Sequence, residues 1–154
     1  MKGLSGAVTA LILVIASVII ALIVVGFAFG LFGTLSSQNA ITNAGSAYIT
    51  YYTNNQQVTI YVTLTNPGPA TPVITSVSVN GIPVNVYSVT NVVNGATNSA
   101  SLLNQITIST GQNYLTIQGT LATALNVQSG ATVSIQIAFS NSQTVTVPAI
   151  LNIQ

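Results

Sequence analysis

Nearly all the reactive side-chain chemistry in this sequence is hydroxyl chemistry. The 154 residues include 35 Ser and Thr and six Tyr, against one Lys and no Arg, Asp, Glu, His or Cys. A serine or threonine becomes a nucleophile only beside a base, and the sole candidate, Lys2, lies at the N-terminus, far along the chain from most hydroxyls. General acid–base catalysis likewise needs a positioned imidazole or carboxylate. Without His, Cys, Asp or Glu, only backbone carbonyls remain for a metal, and they hold at best a weak hard cation. A basic patch for phosphates cannot be built from one lysine. These absences exclude an enzyme, a cofactor site and a nucleic-acid partner from the expected functions. What the hydroxyls can do is accept O-linked sugars. The 25 Asn and Gln offer no acceptor for N-linked ones, since Asn66 precedes Pro67 and Asn98-Ser99 is followed by Ala100.

The charged fraction is 1%, where ordinary soluble domains carry about 25%. Disorder does not explain it, because disordered chains pair low hydrophobicity with high charge, and this chain is 49% hydrophobic. Acid denaturation mostly reflects carboxylates and histidines that change protonation on unfolding. Here the titrating side chains are Lys2 and the tyrosines, types that ionise in alkaline solution in reference peptides. Apart from the chain termini, nothing links stability to acid, so an acid-stable fold exposed to acidic surroundings is expected. Near-zero charge also removes the repulsion that keeps proteins monomeric, so the chain should associate by design or carry a sugar coat. The lack of Cys rules out disulfide staples without fixing a compartment.

Residues 7–32 are apolar apart from Thr9 and Ser17, with Gly26 and Gly30 as small interruptions. A helix over those 26 residues is about 39 Å long, more than the roughly 30 Å hydrocarbon core of a bilayer. It is apolar all round and must be buried in lipid or in protein. It exceeds the core of about 7–15 residues in a secretory signal, and no Ala-x-Ala site follows it cleanly. By the positive-inside rule Lys2 stays in the cytoplasm and everything after Phe32 lies outside. No proline precedes Pro67, so the helix is expected unkinked. Its expected path runs through Thr34, Ser36 and Gln38 toward Asn43, ending near Gly45. Gly26-x-x-x-Gly30, with Gly33 beyond, puts small residues where helix backbones can approach closely.

From Tyr48 the texture changes to the period-two alternation of half-buried strands. Val58, Ile60, Val62 and Leu64 alternate with Thr59, Tyr61, Thr63 and Thr65, until Asn66-Pro67-Gly68-Pro69 breaks the run. Residues 73–79 meet 82–87 across Asn80-Gly81, a two-residue hairpin signal. Residues 94–101 read as a polar loop; strands are expected over 102–109 and 114–118, with 121–125 divided between strand and short helix. Val133, Ile135, Ile137 and Phe139 alternate with polar or small residues, Ser140-Asn141-Ser142 turns the chain, and Val145 and Val147 return before Pro148. Seven or more strands in roughly 105 residues point to an antiparallel, immunoglobulin-like β-sandwich. The fold class is thus α+β: a long N-terminal hydrophobic helix, residues 4–46, then a β-sandwich, residues 47–154.

Lys2-Gly3-Leu4, abutting the apolar helix at the start of a short β-rich chain, resembles the class III signal peptide of archaeal type IV pilins. The resemblance implies cleavage by a membrane prepilin peptidase between Gly3 and Leu4, so that residues 1–3 are an expendable tip and the helix stays on the mature protein. Bacterial relatives carry a glutamate five residues after the cut; the residue here is Val8, which fits the archaeal branch. The family further implies an extracellular helical filament with helices in its core and β domains outside. Its transient partners are an assembly ATPase and a membrane platform protein, and the subunit sits in the cytoplasmic membrane before assembly. On this reading Leu11, Ile12, Val14, Ile15, Val18, Ile19, Leu22, Ile23, Gly26 and Gly30 form the polymerisation helix, and copies of the chain are its main partner.

The function expected is a major pilin serving adhesion, moving its helix from lipid into a growing fibre. A single-pass anchored surface binding protein and a minor pilin at the filament tip are the alternatives.

Overall fold

The computed structural model describes residues 2–36 and 40–154. The chain divides into two compact units, Met1–Asn39 and Ala40–Gln154. The first is one α-helix, α1 (Lys2–Ser36). Its uninterrupted Leu, Ile, Val and Ala content without proline makes this stretch helical. Thr34 and Ser36 fall inside it as expected, whereas Gln38 lies outside the described residues. The expected run of helix toward Gly45 is corrected by the structure: Thr42–Asn43 form strand β1, opposite Thr65 and Leu64. Ile41 is 4% exposed in the core of the second unit, so burial there outweighs one more helical turn.

The second unit is all strand apart from one short 3-10 turn. Its strands are β2 (Ala47–Tyr52), β3 (Gln57–Asn66), β4 (Ile74–Val79), β5 (Ile82–Val93), β6 (Ala96–Ala100), β7 (Gly111–Leu121), β8 (Thr132–Phe139) and β9 (Thr144–Ile153). Burial alternates residue by residue, as the sequence pattern requires: in β3 Val58, Ile60, Val62 and Leu64 point inward, each at most 3% exposed. Hydrogen bonding runs from β3 through β2, β9, β8, β4, β5 and β7 back to β3. The sheet therefore closes into a seven-strand barrel, with β1 and β6 as short appendages on β3 and β5. Two separate sheets, the arrangement of a plain sandwich, are not what the ladders draw. Closure leaves few open edges, which a chain without charges to guard them requires.

One ladder departs from the antiparallel expectation. β2 runs parallel to β9, from Ala47 opposite Ala149 to Tyr51 opposite Ile153. Parallel neighbours need a long crossover, and here the rest of the unit supplies it. β9 also continues through Pro148, which faces Ser134 of β8 and lies one residue before the parallel ladder begins. A residue without an N–H is tolerated best at such a margin.

Two Asn-Gly hairpins organise β4 to β6. Asn80 and Gly81 have φ of 49° and 80°, and Asn94 and Gly95 have 50° and 80°, the left-handed pair that two-residue hairpins demand. The second makes β6 a strand where a loop is expected. Residues 102–109 correct the opposite way. They hold a 3-10 turn, Leu103–Gln105, and only one bridge, Thr107 to Val73. β4 and β5 pair over just two residues before diverging, and Ile106 and Ile108, both buried, help fill the core beside that gap. Buried asparagines hold the segment down. Asn91 Nδ2 donates to Thr107 O (3.1 Å) and to Asn113 Oδ1 (2.9 Å). Asn113 Oδ1 also accepts from Ser109 N (3.0 Å), its Nδ2 donates to Ser109 O (2.7 Å), and Asn66 Nδ2 donates to Ile108 O (2.9 Å). These amides do the work that ion pairs do elsewhere, without a proton to gain or lose. Residues 122–125 are neither strand nor helix, and Leu125 is buried with its N–H directed at Tyr51 Oη.

Candidate functional site: an uncovered apolar helix

The residues singled out for polymerisation all fall on α1. Leu11, Ile12, Val14, Ile15, Val18, Ile19, Leu22 and Ile23 are each between 50% and 67% exposed. At Gly26 and Gly30 an added Cβ would meet no atom within 4 Å. Around the expected cut, Leu4 is 64% exposed and at Gly3 an added Cβ would meet no atom within 4 Å; Lys2 is in the first helical turn. The structure thus sets these residues on one rod, with the eight large ones spread over about half its circumference at 100° per residue. Leu13, Ile20 and Val24, also exposed, occupy the other half. No polar face interrupts them.

The two hydroxyls within the apolar run are satisfied internally. Thr9 Oγ1 donates to Ser5 O (2.8 Å) and Ser17 Oγ to Leu13 O (2.7 Å), the i−4 back-bonds that let these residues sit inside hydrocarbon. Gly3–Gly30 is long and apolar enough to cross a membrane.

Energetics make the exposure consequential. Sixteen large apolar side chains from Leu4 to Phe29 are exposed. Each is worth about 1.5–3 kcal/mol when fully buried; scaled to the roughly six-tenths that is uncovered, they total about 15–30 kcal/mol. A whole domain is stable by only about 5–15 kcal/mol. Bare in water, α1 would cost more than the fold of an ordinary domain returns.

Sequence reading missed one property of the rod. Ala10, Ser17, Ala21 and Ala28 follow spacings of 7, 4 and 7, which place them within about 40° of one another. They form a narrow small-residue face distinct from the Gly26/Gly30 pair. Counting alanine as merely apolar hid it; sorting by side-chain volume would have found it.

No protein-family model matches the chain, and no curated protein matches it. The functional reading therefore rests on the residues and the helix itself.

Proposed function

We propose that this chain is the structural subunit, the major pilin, of an archaeal type IV pilus. The observation that carries this is the uncovered helix: apolar on every face, hydrogen-bonded within itself, and too costly to leave in water. Lipid satisfies it before assembly, in the cytoplasmic membrane; copies of the same helix satisfy it afterwards, in an extracellular filament. A prepilin peptidase cuts between Gly3 and Leu4, discarding Lys2, the chain's one charged side chain. An assembly ATPase and a membrane platform protein move the subunit outward. The small face at Ala10, Ser17, Ala21 and Ala28 is where neighbouring helices come closest.

The β unit forms the outer wall and serves adhesion. Its closed ring is a relative of the immunoglobulin-like sandwich, and its hydroxyl-rich exterior is the acceptor of O-linked sugars. The chain has no catalytic role, cofactor or nucleic-acid partner in this scheme.

Electron microscopy of shed extracellular material, with N-terminal sequencing of its subunit, tests the proposal. Filaments whose subunit begins at Leu4 are expected. A chain that retains Met1–Gly3 and stays in the membrane as a solitary helix overturns it in favour of an anchored surface protein. Substoichiometric amounts in filaments of another subunit make it a minor tip component instead.

A further inference from the structure

Three tyrosines distant in sequence meet on the outer face of the β unit. In β2, Tyr48, Thr50 and Tyr52 alternate with the inward-facing Ala47, Ile49 and Tyr51. Register sets Tyr48 opposite Tyr61 of β3, and their rings stack with centroids 4.6 Å apart and planes inclined by 25°. On the other edge of β3, Tyr61 faces Thr116 of β7 while Thr63 faces Tyr114. Tyr114 thus lies one diagonal step from the stack, a reach that aromatic side chains span. Tyr48, Tyr61 and Tyr114, with Ser46, Thr63 and Thr116, border a cleft of about 160 Å³.

The stacked pair steadies its own ladder, but folding does not call for a third exposed ring beside it. Neighbouring outward positions on these strands hold Thr59, Thr65, Gln118 and Thr120, which suit a wet sheet face at no cost in exposed ring. Tyr48 and Tyr114 are instead each 52% exposed, and clustered exposed apolar surface marks a place where something binds. The Tyr114 hydroxyl donates to Gln112 Oε1 (2.9 Å), and among the described residues those of Tyr48 and Tyr61 make no hydrogen bond to protein. The cleft therefore offers ring faces ringed by unspent hydroxyls. Its complement is a molecule with apolar C–H faces and a hydroxylated rim, which describes a pyranose. No charged side chain exists anywhere in the β unit, so a phosphate, sulfate, carboxylate or ammonium entering it would lose water without gaining a partner.

We infer that this cleft is a binding site for a neutral glycan. A hexose ring sets its C–H faces against the tyrosine rings and its hydroxyls against Ser46, Thr63 and Thr116. This goes beyond the filament reading and does not depend on it, since an anchored monomer would present the same cleft. The sugar has two possible sources, a foreign surface or an O-linked glycan on another copy.

The test uses the full chain in a detergent free of sugar headgroups, made both bare in bacteria and glycosylated in its source. Immobilised neutral hexose oligosaccharides are the probe, with sialylated and sulfated ones beside them. Binding of neutral oligosaccharides by the bare chain is expected, weakened about tenfold in Tyr48→Ala and Tyr114→Ala, the loss of one aromatic contact. Tyr87→Ala, exposed on β5 outside the cleft, should leave it unchanged. Tyrosine-dependent self-association confined to the glycosylated chain would assign the sugar to a neighbouring copy. No neutral-glycan binding in either form, binding indifferent to both cleft substitutions, or preference for the anionic sugars overturns the inference. So do cleft variants that alter only association of the bare chain with itself, which would make the cleft a protein interface.

Discussion

Replacing Ile19 with aspartate puts a single ionisable group into the middle of α1, in a chain with no other carboxylate side chain. Ile19 is 51% exposed in the protomer, flanked along the helix by Ile15 and Ile23. A charged aspartate at the centre of a membrane-spanning helix costs about 2.5–3.5 kcal/mol on the insertion scale. Losing burial of the isoleucine adds about 1 kcal/mol, half of its full value. Together this is roughly 4 kcal/mol per subunit, a factor of about 10³ against the helix resting in any apolar setting, lipid or filament. Ile19→Asp filaments are therefore absent at pH 7.5. Sedimentation after detergent removal, with electron microscopy of the pellet, measures the yield. Ile19→Asn, neutral and of similar volume to the acid, escapes the charge cost and should assemble at a reduced level between wild type and the aspartate variant. Wild-type amounts of Ile19→Asp filament at pH 7.5 would refute the claim that this side chain is buried on assembly.

Thermal unfolding of the wild-type chain in detergent should shift by no more than a few degrees between pH 7 and pH 2, since its buried polar side chains are the amides of Asn66, Asn91 and Asn113; calorimetry across that range checks this. Gly119→Ala should destabilise the β unit by about 2 kcal/mol or more, because the new Cβ would stand 2.6 Å from Val84 Cγ1 and 2.7 Å from Asn85 O; urea titration reads the loss. Asn113→Ala strips the acceptor from Ser109 N and Asn91 Nδ2 and should cost about 3 kcal/mol, with each stranded donor contributing about 1–3. Its accompanying sign is faster proteolysis within residues 102–110.

The strands were legible because half-buried positions impose alternation, and Val58 to Leu64 or Val133 to Phe139 could hardly read otherwise. How they connect was not. Alternation is the same whether a strand pairs parallel or antiparallel, so nothing in Ala47–Tyr52 announces β9 as its neighbour. Asn94-Gly95 repeats the hairpin dipeptide of Asn80-Gly81, but β6 is an exposed edge of Ala, Thr, Asn and Ser with no apolar face to signal a strand. Residues 106–109 alternate as Ile-Thr-Ile-Ser and mimic a strand, yet asparagine side chains take much of their backbone hydrogen bonding. The helix was plain from its apolar run, while its end depended on Ile41 finding a place in a core formed by distant residues. The tyrosine cleft was hidden for a related reason: positions 48, 61 and 114 become neighbours only through register.

The parallel pairing of β2 with β9 bears on how the molecule would carry load. Past the short β1, the first strand of the closed ring is β2, which is gripped on one edge by β3 and on the other by β9. A pull along β2 shears both ladders at once, so their backbone hydrogen bonds must yield together instead of unzipping singly. A tether on a surface under flow would need its grip there.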